Sequence, residues 1–219
     1  EPDLVLLTGD YLSTTYNDDP QALADLGRLL TQIHAAQGSY AVWGTPEVDH
    51  AHLLRPVVQA AGITLLEDRA VEVRAARYHL WIMGVNATRD QAADAGRLGP
   101  LVAAAPPGAL TLLLYHTPDL MPQAAALGVD LYLAGHTHGG QWRLPGFGAI
   151  VTSSRHGKRY EAGHYREGNT HLYVSRGLGM EGFGTPRARF FCRPELVVVD
   201  LVGRAGTGSA PQPRRGARP

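Results

Sequence analysis

The residues Gly135-His136-Thr137-His138-Gly139-Gly140-Gln141 directly follow the apolar run Asp130-Leu-Tyr-Leu-Ala134. Such a run is typical of a buried strand, so the two histidines are predicted to stand just past a strand end. Histidines two residues apart on a strip leaving a sheet can face one cleft, where the glycines leave room for a metal or an anion. The segment therefore predicts a metal site, and a surface turn that merely contains two histidines is the alternative.

Strand and helix patterns alternate outward from this segment. Short apolar runs predict buried strands over residues 4–7, 40–43, 63–66, 110–115 and 130–134. Capping residues and helical spacing predict helices from Asp19-Pro20 to Gly38, from Pro56 to Gly62, over 90–105 and over 118–127. A hairpin is predicted over 71–84, and later strands over 149–152, 171–175 and 195–201. The alternation favours an α/β fold with a parallel sheet.

Length and composition predict one folded domain over residues 1–202. The chain has 219 residues, enough for a sizeable core, and the segment 203–219 is rich in glycine, proline and arginine, which predicts a disordered basic tail. The first residue is Glu1, and an apolar strand follows within three residues, so we expect the chain to be cut from something longer at its amino terminus. The compartment and the oligomeric state stay open.

Charge and cysteine content limit which partners and which metal ligands the chain can have. Lysine and arginine total 20 and aspartate and glutamate total 20, so no overall field favours nucleic acid as a partner, and a nuclease is disfavoured. Cys192 is the single cysteine, which excludes an internal disulfide and a cysteine cluster. Metal ligands are therefore expected to be histidine and carboxylate.

Candidate ligands stand after several of the predicted strands. In open α/β sheets, ligands bind outside the carboxyl ends of the strands, and Asp10, Gly44, His116, His136 and His138 would all be presented there. A carboxylate with several histidines suits manganese, iron or zinc, and a bridging carboxylate commonly holds two such ions about 3.5 to 4 Å apart. The pattern thus predicts a dinuclear site.

Five motifs together resemble a known family. They are, in chain order, Leu7-Thr-Gly-Asp-Tyr11, Tyr40-Ala-Val-Trp-Gly44, Tyr115-His-Thr-Pro-Asp119, the segment Gly135 to Gln141, and Tyr173-Val-Ser-Arg-Gly-Leu-Gly179. Each motif alone is weak, but their order and spacing make the chain resemble the calcineurin-like metallophosphoesterases. Within that family it is similar to the bacterial branch that carries Gly-His-Thr-His-Gly-Gly-Gln.

The resemblance implies a fold and a reaction. The fold is a layered β-sandwich with flanking helices, four layers in the order αββα. The reaction is hydrolysis of a phosphoester, most specifically a phosphodiester, by a metal-activated hydroxide. The family pattern implies that Asp10 bridges two divalent ions (Mn, Fe or Zn), that His116 and His136 bind one of them, and that His138 binds the other. Members of the branch are often membrane-associated, which suggests a phospholipid or cell-envelope substrate and peripheral membrane association.

Two departures from the family pattern limit this prediction. The opening Asp-x-His motif, expected before Asp10, is not present, which removes two ligands of one ion. The Gly-Asn-His segment appears as Gly44-Thr45-Pro46, where threonine is a weaker candidate ligand and proline can neither ligate nor donate a proton. His50 or His52 could replace that histidine. The alternatives are therefore a chain that binds one ion and turns over slowly, and a degenerate binding or scaffold module.

Other residues received less specific interpretations. Arg176 is a second weaker candidate, because it could hold a substrate phosphate in bidentate geometry or brace a glycine turn. Trp142, Phe147 and Phe183 border glycine-rich loops, and we interpret them as packing residues rather than as a wall that faces lipid or a base.

Overall fold

The computed structural model describes residues 1–75, 78–182 and 187–202. Its helices are α1 (Pro20–Leu30), α2 (Ala51–Ala60), α3 (Gln91–Ala103) and α4 (Met121–Ala126). Its strands are β1 (Val5–Leu7), β2 (Ser39–Ala41), β3 (Thr64–Leu65), β4 (Arg69–Ala75), β5 (Tyr78–Gly84), β6 (Leu110–Leu114), β7 (Leu131–Ala134), β8 (Arg143–Leu144), β9 (Gly148–Ala149), β10 (Gly163–Glu167) and β11 (Thr170–Val174). The predicted tail, 203–219, and Phe183 lie outside the described residues.

Two sheets form the centre of the molecule. One has the order β1-β2-β3 and is parallel. The other has the order β10-β11-β7-β6-β5-β4, in which β5, β6, β7 and β11 run parallel and the two outermost strands antiparallel. The predicted hairpin over 71–84 is confirmed by the pairing of β4 with β5.

Buried apolar side chains form three core layers, one between the two sheets and one on the outer face of each sheet. Between the sheets, Val42 and Leu66 pack with Leu112 and Leu114 of β6. Because side chains alternate along a strand, Leu113 points the other way, to a core shared with α3 and α4. Helices α1 and α2 cover the outer face of the smaller sheet. The order is therefore helix, sheet, sheet, helix, and the predicted αββα layering is confirmed.

Helix α1 begins where its sequence predicts and ends earlier. The Asp19 carboxylate accepts hydrogen bonds from the backbone N–H groups of Gln21 and Ala22, and Pro20 occupies the first turn. The prediction that the helix extends to Gly38 is wrong, because the helix ends at Leu30. Side chains of Thr31 and Gln32 donate to the Arg28 carbonyl there, which competes with continuation of the helix.

Three other element predictions are wrong. The strand predicted over 149–152 is only the two-residue β9, Gly148–Ala149. Helix α2 begins at Ala51, not at Pro56, because burial of Leu54 and Val58 offsets the one backbone bond that an internal proline removes. Residues 195–201 form no strand in the described part of the chain. Leu196 and Val198 there are each 83% exposed, and an apolar pattern forms a strand only where a neighbouring strand pairs with it.

No helix among the residues described has the length and apolar character that spanning a bilayer requires.

Candidate metal centre

Strand ends from both sheets meet at one edge of the sandwich. Asp10 follows β1, Thr45 follows β2, and His116 and His136 follow the paired strands β6 and β7. The backbone is strained at this edge, because Asp10, His136 and His138 have positive φ angles of 56°, 69° and 49°. Non-glycine residues rarely adopt such angles, and they do so mostly where the surrounding structure holds a functional group in place.

Asp10, His116 and His136 form a compact cluster, called here the Asp–His–His cluster. One ligand atom from each lies within 4.8 Å of the others. The His116 Nε2 atom is 3.1 Å from Asp10 Oδ2 and 3.0 Å from His136 Nδ1. One carboxylate oxygen and two imidazole nitrogens that converge in this way form a ligand set suited to a borderline divalent ion.

A hydrogen bond to the backbone fixes the ring of His116. Its Nδ1 atom donates to the Thr8 carbonyl at 2.7 Å, and its side chain is 1% exposed. An imidazole held in this way would present an unprotonated Nε2 to a bound ion, and Nε2 is the atom that faces Asp10 and His136. Metal-binding histidines commonly donate their other nitrogen to a carbonyl or carboxylate in this way.

His138 lies next to the cluster but is not one of the three convergent residues. Its Nδ1 atom is buried and has no hydrogen-bond partner among the residues that the structure describes. A buried polar nitrogen without a partner is costly unless something binds it, and an ion would satisfy it. The donor set, including this atom, therefore fits a metal site.

Thr45 lies in the middle of the predicted ligands. Its backbone N–H donates to Asp10 Oδ1 at 2.8 Å, and its hydroxyl oxygen is 3.2 Å from His116 Nε2 and 3.4 Å from His136 Nδ1. Thr45 therefore orients the carboxylate through its backbone and also supplies a neutral oxygen to the centre of the site.

Burial and charge set the proton affinities at the cluster. Burial raises the pKa of Asp10, but the hydrogen bond from protonated His116, the charge of His116 and the Thr45 N–H outweigh burial and lower the Asp10 pKa. Burial lowers the pKa of His116, but its bond to Asp10 raises it overall. Burial and the neighbouring His116 lower the pKa of His136 to about 4. His136 is therefore neutral at pH 7, as a metal ligand must be.

Asp49 is a buried carboxylate that sequence analysis missed. It accepts hydrogen bonds from the backbone N–H groups of Asp10 at 2.9 Å, Tyr11 at 2.9 Å and Gly44 at 2.6 Å. Asp49 thereby ties the loop after β1 to the loop after β2. The one feature of the sequence that could have identified Asp49 is its position in a loop after a predicted strand, because ligands bind at the carboxyl ends of such strands.

Two glycines let these loops approach each other. A Cβ atom on Gly9 would lie 2.3 Å from the Gly44 nitrogen, and one on Gly44 would lie 2.2 Å from the Asp10 nitrogen. Both distances are far below van der Waals contact, so the backbones pass each other only because neither residue has a side chain.

A cleft of about 310 Å³ opens beside the cluster. Pro46, His50 and His52 line it, together with Trp43, Gly44, Asp49, Ala51, Asn86 and Ala87. The His50 Nδ1 atom is 2.6 Å from Asp18 Oδ1, and its ring stacks on that of His52 with 6.0 Å between centroids. His50 and His52, the two candidates to replace the family's histidine, therefore both line the cleft.

Arg176 makes the contacts of a bracing residue. Its backbone N–H and its Nε atom each donate to the Glu195 carboxylate at 2.9 Å, and its side chain packs under Gly139. These contacts hold the loop after β11 against the histidine loop.

Comparison with known proteins places the chain among named relatives. No family model matches it. It is 30% identical over 217 residues to the metallophosphoesterase YkuE of Bacillus subtilis, an alignment that covers 92% of this chain and 68% of the relative. It is 32% identical over 206 residues to the phosphodiesterase YaeI of Escherichia coli, with coverage of 92% and 71%. A metallophosphoesterase of Aquifex aeolicus is 29% identical over 217 residues, with coverage of 93% and 74%.

These relatives confirm that the protein is an enzyme, and they imply that it uses divalent metal. The chain belongs to the calcineurin-like metallophosphoesterase family that its motifs indicate, the hydrolases of phosphoric ester bonds.

Proposed function

We propose that this protein hydrolyses phosphodiesters with divalent ions held by Asp10, His116, His136 and His138. The observation that carries the proposal is the Asp–His–His cluster, whose ligand atoms lie within 4.8 Å of one another. The buried Nδ1 atom of His138, which finds no hydrogen-bond partner in the described part of the chain, supports a second ion beside the first. Nitrogen and carboxylate ligands favour manganese, iron or zinc for these positions.

Each residue of the site has a separate task in this proposal. The Thr8 carbonyl holds His116 in the tautomer that presents Nε2. The Thr45 N–H keeps one Asp10 oxygen in place, and Asp49 holds the Asp10 backbone from the other side. The ligands are thus already in position to bind a metal without large rearrangement, which reduces the free-energy cost of binding. Bound divalent ions would supply Lewis acidity and lower the pKa of water.

The residue at position 46 cannot donate a proton to the leaving group. Pro46 carries no ionisable group, whereas His50 lies on the same cleft wall and bonds to Asp18. A lost acid–base group typically costs about two to four orders of magnitude in rate. We therefore expect slow turnover, with a preference for esters whose leaving group needs no proton.

The substrate proposal is a phosphodiester of a phospholipid or of the cell envelope. The similarity to the phosphodiesterase YaeI supports the diester, and the open cleft beside the cluster leaves room for a large substituent on phosphorus.

Hydrolysis of bis(p-nitrophenyl) phosphate by the manganese-loaded protein tests the proposal. We expect turnover by the wild type and loss of it in His136→Ala. His34→Ala is the matched control, because His34 lies outside the cleft and the cluster, and it should retain the wild-type rate. Equal rates in the wild type and His136→Ala would contradict the assignment.

Elemental analysis distinguishes the enzyme from the scaffold alternative. Two ions per chain with turnover support the dinuclear site. Zero or one ion without turnover would instead support a degenerate module, the possibility that Thr45 and Pro46 raise.

A further inference from the structure

Four exposed apolar side chains lie together near the histidine loop, and we call them the aromatic patch: Leu144, Phe147, Phe190 and Phe191. Their exposed fractions are 46%, 58%, 47% and 65%. The rings of Phe190 and Phe191 are 4.6 Å apart, and Phe191 lines one hollow with Leu144 and Phe147. The interpretation of Phe147 as a packing residue is therefore wrong, whereas Trp142 does pack, against Phe190 at 5.9 Å.

The aromatic patch is joined directly to the candidate metal centre. Phe190 donates its N–H to the Gln141 carbonyl at 2.8 Å and accepts from the Arg143 N–H at 3.0 Å. The neighbouring Arg189 donates from Nη1 to the His138 carbonyl at 3.2 Å. Whatever the patch binds is thus held next to the loop that carries His138.

Positive charge is concentrated in the part of the sequence that contains the patch, although the whole chain is neutral. Residues 143–193 contain nine lysine and arginine side chains and three glutamates. Among the residues described, three of the nine form ion pairs with glutamates, at Arg143, Arg159 and Arg176. Lys158 lies over the Phe147 ring, 3.4 Å from its centroid, and Arg193 follows Phe191 closely in the chain. This excess of positive charge complements an anionic surface.

Both polar backbone groups of Phe147, at the tip of the β8–β9 hairpin, are already hydrogen-bonded. Phe147 donates its N–H to the Leu144 carbonyl at 3.1 Å, Lys158 donates to the Phe147 carbonyl, and Pro145 has no N–H. Backbone groups that are already bonded cost little to bring into a lipid headgroup layer. An exposed phenylalanine beside a lysine is typical of shallow insertion at a membrane interface.

We propose that the aromatic patch docks the protein onto an anionic lipid bilayer, with Phe147 and Phe191 inserted at headgroup depth and Lys158 at the lipid phosphates. This places the cluster where phosphodiesters of lipids lie. The link to substrate rests on the proposed function, whereas membrane binding requires no turnover.

Vesicle co-sedimentation tests the surface. We expect the wild type to bind vesicles that contain phosphatidylglycerol more tightly than phosphatidylcholine vesicles. The double variant Phe147→Ser/Phe191→Ser should lose about tenfold or more in affinity, because both rings leave the interface. Lys158→Glu should weaken binding to anionic vesicles by about tenfold and leave binding to neutral vesicles unchanged. Leu29→Ser, which changes a 57% exposed leucine on α1, is the control and should bind like the wild type.

Three results would overturn the docking proposal. They are no binding to anionic vesicles, equal binding by the double variant, and a wild-type dimer that binds no vesicles and that the double variant dissociates. Hydrolysis of the soluble diester by every variant at the wild-type rate shows that the site is intact. Vesicle binding by a wild type that hydrolyses no diester would contradict the proposed function but not the docking surface.

Discussion

At the scale of single residues, the neutral state of His136 makes the stability of the fold depend on pH. Burial and His116 lower the pKa of His136 to about 4, from an ordinary value of 6.5. The unfolded chain therefore takes up a proton near pH 6.5, while the folded chain resists it until about pH 4. The contribution of His136 to stability is complete above pH 6.5 and is lost as pH falls from 6.5 towards 4.

We expect the metal-free protein to lose on the order of 2 kcal/mol more stability than His136→Asn between pH 7 and pH 5. Urea unfolding of chelator-treated protein at several pH values measures this difference. His34→Asn should follow the wild type. Parallel pH profiles for the wild type and His136→Asn would show that His136 is not held neutral by the fold.

The Thr45 hydroxyl permits a second test at this scale. It lies 3.2 Å from His116 Nε2 and 3.4 Å from His136 Nδ1, inside the ligand set. Thr45→Val keeps the shape and the backbone N–H but removes the oxygen, so manganese affinity should fall by about tenfold or more. Titration calorimetry measures the affinity, with Thr64→Val, an exposed position on β3, as the control. Unchanged affinity in Thr45→Val would remove the hydroxyl from the site.

At the scale of elements, the site depends on how closely the loops after β1 and β2 approach each other. The Asp49 carboxylate binds N–H groups of both loops, and Gly9 and Gly44 let the backbones touch. These contacts join residues far apart in the chain, so the position of Asp10 depends on the packing of two elements.

Gly44→Ala should therefore displace Asp10 and remove metal binding, because its Cβ atom would lie 2.3 Å from Asp10 Oδ1. Loss of stability by about 1 to 3 kcal/mol should accompany this overpacking. Gly96→Ala is the matched control, since no atom of the described residues lies within 4 Å of its Cβ position in α3, and it should stabilise the fold by about 0.5 to 1 kcal/mol. Thermal unfolding and a metal titration measure both effects, and wild-type metal affinity in Gly44→Ala would refute the close approach.

At the scale of the whole molecule, the predicted ligands come from both sheets, so the site exists only in the folded state. A ligand that binds only the folded state stabilises it by about 2.7 kcal/mol at a hundredfold excess over Kd. Manganese should therefore raise Tm by roughly 5 to 10 °C. A chelator should reverse the shift, and His136→Ala should remove it. A Tm that does not respond to manganese, iron or zinc would argue against a preformed site.

Local sequence patterns predicted the buried strands and the polar residues at their ends, and the family resemblance implied the layers. Apolar runs that end in glycine, aspartate or histidine specify buried parallel strands with polar groups at their ends, because those patterns are local. Asp10, His116 and His136 could be named for this reason. The order and spacing of the motifs also indicated the family, which the relatives confirm.

How the loops meet depends on tertiary packing that no local pattern encodes. Asp49 and the Thr8 carbonyl join the site through contacts between distant segments, and no local pattern distinguishes them from ordinary loop residues. Whether Phe147 is exposed, and whether residues 195–201 pair as a strand, also depend on which residues lie next to them in the fold. The physical reason is common to all of these: burial, pairing and hydrogen bonding are properties of the assembled sheets, whereas periodicity and capping are properties of the chain.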